Sequence, residues 1–187
     1  MTLGLFFDAF IIALGSKVDA SQMVVASRFR FIAHGLLIPL LFMISAEALE
    51  LKKIPYYVAI GLTVTLMGLG LAEALATKLG VVEIANISRM ASIKGVTPGW
   101  ADAISKVLSF GTVIPLMVVG IIYWIKKKTP YLFLSGFLMF AFSALGPATG
   151  NSEYIFYISM YGELLMVIFL ILHDMFGDRK KKKAENK

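Results

Sequence analysis

Four ionisable side chains stand inside stretches that are otherwise almost wholly apolar. Asp8 lies in TLGLFFDAFIIALG, His34 in RFRFIAHGLLIPLLFMISAEAL, Glu73 in PYYVAIGLTVTLMGLGLAEALAT and Glu163 in EYIFYISMYGELLMVIFLILHDM. A charge held in hydrocarbon is costly unless it is paired, hydrogen-bonded or wetted, so such residues face a bundle interior or a polar cavity. Removal from water moves carboxyl and imidazole groups toward their neutral forms. A set of them can therefore bind and release protons. Arg28 and Arg30 precede the His34 segment and would place positive charge at the mouth of such a site, suited to an anion or a lipid headgroup. Two readings of these residues stay open. Either His34, Glu73 and Glu163, with Asp8, converge on one substrate- or proton-binding site, or each is satisfied locally and the arginines grip headgroups as interfacial anchors.

Other chemistry is not encoded. The chain has no cysteine, which removes disulfides, thiolate metal sites and thiol nucleophiles together. There is no HExxH, Gly-rich phosphate loop, Asp-rich diphosphate motif or GxSxG elbow. No lysine falls mid-span to carry a Schiff-base chromophore, and His173 sits at the opposite face from His34, which argues against a haem between them. No catalytic residue, metal ligand or cofactor is expected.

The elements that must position these groups follow from composition. Of 187 residues, 58% are hydrophobic and 16% charged, against about 45–50% and about 25% in average globular domains. The apolar residues come in blocks, at 30–49, 55–77, 105–125, 131–148 and 153–175. Each block is close to the ~20 residues that cross a ~30 Å hydrocarbon layer as helix. None alternates as a barrel strand would. The N-terminal block around Asp8 is short, and reads as a sixth span, an interfacial helix or, less well, a cleaved signal. The expected fold is all-α, a polytopic membrane helix bundle with six transmembrane helices, or five if the N-terminal block is interfacial. Residues 1–177 would form a single transmembrane domain and 178–187, DRKKKKAENK, a disordered basic cytoplasmic tail.

Charge sets the orientation. Short-loop lysines in LKKIP and KKKTP and the run Arg179–Lys183 fall on one side, which the positive-inside rule makes cytoplasmic. The net charge of +6 is too local to indicate nucleic acid. Anionic lipid headgroups at the C-terminal tail, the bilayer itself and a homo-oligomer or membrane companion are the expected partners, and the plasma membrane the expected location.

Local patterns add detail. His34-Gly35, Ile38-Pro39-Leu40, Lys52-Lys53-Ile54-Pro55-Tyr56 and Gly61 are echoed by Phe110-Gly111, Ile114-Pro115-Leu116, Lys127-Lys128-Thr129-Pro130-Tyr131 and Gly136, with a weaker third copy at Tyr161-Gly162. This suggests a hairpin repeat. Pro39 and Pro115 should each bend a helix. VVEIANISRMASI places Val81, Ile84, Ile87 and Ala91 near one helical stripe, which predicts a short surface helix, and Thr97-Pro98 should start the next span. Gly68, Ala72 and Ala76 form a small-residue stripe for close helix approach. His34, Leu41 and Ser45 share one helix face. Glu47 and Glu50 are expected to pair with Lys52 and Lys53, Tyr123, Trp124 and Trp100 to act as interfacial anchors, and His173 to meet the last carbonyls of its helix.

A transporter or channel for a small solute, ion or lipid, working through the His/Glu site, is the leading functional expectation. An intramembrane lipid-modifying enzyme, with His34 and Glu73 as an acid–base pair and the arginines as phosphate anchor, is the alternative from a second class. A non-catalytic membrane subunit is a third.

Overall fold

Apolar chain without water to bond must satisfy its own amides, and helix does this within each segment. The computed structural model describes residues 10, 20–84, 87–93, 95–148 and 152–177. Its elements are α1 (Ala20–Leu37), one 3-10 turn (Ile38–Leu40), α2 (Leu41–Ala48), α3 (Lys53–Ala76), β1 (Leu79–Ile84), β2 (Ile87–Ser92), α4 (Gly99–Lys127), α5 (Tyr131–Ala148) and α6 (Ser152–Phe176). The protein is essentially all-α, as expected. Among the described residues four helical segments, Gln22–Ala48, Lys53–Ala76, Gly99–Lys127 and Ile158–Phe176, are long and apolar enough to cross a membrane, and Tyr131–Leu145 is a shorter apolar helix. Between 17% and 39% of each long segment's apolar window is buried. The larger part of each greasy surface faces outward, as in helices whose solvent is lipid. Several such helices are compatible with a multi-pass membrane protein. The N-terminal block with Asp8 and the tail 178–187 lie outside the described residues.

The expected surface helix in 80–104 is a β-hairpin instead. β1 and β2 pair antiparallel from Leu79↔Ser92 to Ile84↔Ile87. Val81, Val82, Ile84 and Ile87 explain the difference, since β-branched side chains lose rotamers in a helix and pack well on a pleat. Lys78 and Ile93 close the root through Ile93 N–H to Lys78 O at 2.9 Å. The Thr97 hydroxyl oxygen accepts from Lys78 N–H at 3.2 Å and lies 2.9 Å from Ser92 Oγ. Gly95, at φ +81°, makes the turn that follows. α4 begins directly after Pro98, as its sequence predicts.

The two prolines behave differently. Pro39 sits inside the 3-10 turn that separates α1 from α2, whereas Pro115 lies within an unbroken α4. Each has glycine four residues earlier, Gly35 and Gly111, where the ring would otherwise press on a less adaptable turn. The turns LKKIP and KKKTP share a feature, positive φ at Lys53 (22°) and Lys128 (58°). The echoed glycines do not share surroundings. A Cβ on Gly61 would meet nothing within 4 Å, while one on Gly136 would lie 2.8 Å from Met117 Cγ.

The chain divides into two compact units, Met1–Met43 with Lys53–Thr112, and Ile44–Lys52 with Val113–Lys187. In the first, α1 packs on α3 and on β2. Thr63, Leu66, Gly70, Glu73 and Ala74 form the buried face of α3. The crossing is backbone against backbone, since a Cβ on Gly35 would stand 2.6 Å from the Gly70 carbonyl carbon. The expected Gly68, Ala72 and Ala76 stripe is a correction: a Cβ on Gly68 meets nothing within 4 Å, and both Gly68 and Ala72 are exposed. In the second unit α5 packs along α6. A Cβ on Gly120 would clash with the Phe133 backbone, and one on Gly162 would sit 2.8 Å from Phe142 Cβ.

Candidate functional site

Glu73 points from the buried face of α3, one turn beyond the Gly70 crossing, and is 7% exposed. Thr77 follows four residues later, so its side chain shares that face. The Thr77 hydroxyl lies 3.0 Å from Glu73 Oε1 and 2.9 Å from Glu73 O, donating to both from one proton. Arg28 reaches the same end of α3 from α1. Its Nη1 donates to Ala74 O, to Thr77 O at 2.8 Å and, at the limit of a hydrogen bond, to Leu75 O at 3.5 Å. These carbonyls end a helix and have no partner further along it, so a guanidinium there satisfies them and meets the negative end of the helix dipole. Arg28 and Asp102 both lie within electrostatic reach of the Glu73 carboxyl. The result is a buried acid hydrogen-bonded by a hydroxyl, with a cation and a second acid within electrostatic reach, all in the first unit. Such a set can hold a proton or exchange it for a small cation.

The remaining expected site residues fall as follows. His34 is half-buried with its Nε2 inside the fold, next to Gly35 at the same crossing. Arg30 is half-buried, its Cζ 5.2 Å from the centroid of the Phe31 ring. Glu163 is half-buried in α6 of the second unit, beside Gly162 where α5 packs. Asp8 is outside the described residues. Among the described residues no group of three or more His, Cys, Asp or Glu could hold a metal.

Sequence reasoning passed over Thr77 and Asp102. The first was legible from four-residue spacing. The second follows only once 79–92 is a hairpin, because antiparallel strands bring the end of α3 back to the start of α4, and a surface helix would not.

At the lysine-rich end of the second unit one contact differs from expectation, that of Tyr123. Glu50 pairs with Lys127, at 3.1 Å. Tyr123 is not an exposed anchor. It is 5% exposed and its hydroxyl donates to Gly177 O at 3.0 Å, with its ring edge-on to His173 at 4.8 Å. Trp124 is partly exposed and stacks on Phe133 at 5.6 Å. The buried hydroxyls of Thr63, Thr112 and Ser135 donate to carbonyls of their own helices, so they add no polar path between helices.

No family model, no curated protein and no solved structure matches the chain. The functional reading therefore rests on the chemistry of the site.

Proposed function

We propose that this is a multi-pass membrane transporter that moves a small solute, ion or lipid with the help of protonation at Glu73. The observation that carries this reading is the buried Glu73 carboxyl, hydrogen-bonded by Thr77 and within electrostatic reach of Arg28 and Asp102. A carboxyl shielded from water yet bordered by polar partners can alternate between holding a proton and holding a cargo charge as access changes. His34 adjoins the Gly35–Gly70 crossing and supplies a second titratable group. Glu163, with Asp8, completes the proposed set. In this reading the chain has six spans, with the 34–61 and 110–136 hairpins as related units, a cytoplasmic C-terminus and a plasma-membrane location. The tail Arg179–Lys183 binds anionic headgroups.

The lipid-modifying alternative draws less support, because the Arg28 guanidinium that would anchor a phosphate is engaged with the end of α3. The test is solute-driven proton movement in liposomes carrying a pH gradient, read with a trapped pH dye across a panel of small solutes. Glu73→Gln should abolish coupled proton movement in protein that remains folded. Coupling unchanged in that variant, or uptake indifferent to pH, would remove the proposal. A stoichiometric companion retained in mild detergent would favour the membrane-subunit reading.

A further inference from the structure

We infer that the root of the β1–β2 hairpin is a lipid-binding surface, occupied by the headgroup layer of an anionic leaflet. This stands independently of the transport reading.

Ile93, Val96 and Trp100 lie at that root and are between 38% and 59% exposed. Met90, on the opposite face of the hairpin from Ile93, is 3% exposed, so the hairpin buries apolar surface on one face and leaves these three outside. Their position is fixed by short tethers. Only Thr77 and Lys78 separate the last residue of α3 from β1. Three links at about 3.5 Å each keep the root within roughly 10 Å of the end of that helix. The root is also clamped, by Ile93 to Lys78 and by Thr97 to Lys78 and Ser92. Trp100 lies in the first turn of α4, itself an apolar segment of membrane-crossing length. The headgroup region on either side of the hydrocarbon is about 5–8 Å deep. A patch tethered this closely to the ends of two such helices lies in or beside that layer.

The patch has the composition that region selects. Tryptophan seats its ring at the headgroup level, and small apolar groups enter the acyl boundary. Lys78 at the root and Lys106 on α4 are both exposed, and cations there attract anionic headgroups. The committed occupant is therefore lipid, with a second copy or another protein as outcomes the test would reveal.

The chain has two tryptophans, so Trp124→Phe leaves Trp100 as the sole reporter. The full chain is reconstituted in vesicles of zwitterionic lipid with and without an anionic component. Trp100 emission is expected to be quenched strongly by lipids brominated near the headgroup end of the acyl chain, weakly by lipids brominated at the chain terminus, and little by aqueous iodide. Added anionic lipid should shift the emission further to the blue at low salt, and Lys78→Gln should reduce that shift. Quenching by iodide without quenching by brominated lipid would put the patch in water. Quenching by neither would mean protein covers it. Either result overturns the proposal. Trp100→Phe gives the same comparison by difference if Trp124→Phe folds poorly.

Discussion

Arg28 illustrates how a residue can stand out in a sequence that does not show its partner. Two arginines ahead of an apolar helix suggest a headgroup or an anion, because sequence offers no nearer acceptor. The acceptors are the final carbonyls of α3, supplied by a helix more than forty residues further on. Glu73 was legible because a carboxylate in an apolar run is conspicuous, and Thr77 was within reach of the same reasoning. Asp102 was not, because its approach depends on the hairpin. A stability prediction belongs here. Arg28→Ala should destabilise the fold by about 1–2 kcal/mol, the range for hydrogen bonds between membrane helices and to charged groups. Arg28→Lys should recover less than half of that, since an ammonium is a point charge without the guanidinium fork. Unfolding of both variants by titration with a denaturing detergent, monitored by circular dichroism, checks the ranking. Equal stability of Arg28→Ala and the parent would mean the contacts carry no weight.

Among the elements, α3 explains why one packing face was misassigned. Its stretch GLGLAEALA alternates small and large residues, so Gly68-Ala72-Ala76 and Gly70-Ala74 are interleaved small-residue stripes on different faces. Nothing within α3 distinguishes them. The choice is made by Gly35 on α1, which removes the last side-chain atoms from one crossing and lets two backbones meet. Alanine at the two glycines should therefore have opposite effects. Gly70→Ala would force backbone apart and should cost about 1–3 kcal/mol. Gly68→Ala meets open space, and its better helix propensity should leave stability unchanged or raised by up to about 1 kcal/mol. The same detergent titration decides between them, and indistinguishable midpoints would refute the assignment of the buried face. The hairpin was missed for a related reason: over thirteen residues of mixed pattern, four hydrophobics fit a helical stripe while the β-branched content favoured strands.

At the scale of the whole chain, the apolar blocks after the first were legible as helices, with 55–77, 131–148 and 153–175 close to the observed bounds and 30–49 and 105–125 starting ten and six residues late, because length and hydropathy are the properties that a bilayer imposes. Which side each end faces depends on the lysines, and the absence of cysteine makes that measurable against no background. A cysteine placed by Glu83→Cys at the hairpin should react with an impermeant reagent added outside intact cells. One placed by Lys187→Cys should react only after the membrane is opened. The reverse pattern would invert the orientation. The 3-10 turn at Ile38–Leu40 bears on the long segment that contains it. Three residues wound at 3.0 rather than 3.6 per turn carry the chain about 60° further around its axis than uninterrupted α-helix would. His34 and Ser45, aligned on a helical wheel, thus depart from a common azimuth. A single continuous rod would have to present one inward side along its whole length. This one is free to turn a different side inward after Pro39, and Ile44–Lys52 does belong to another packing unit.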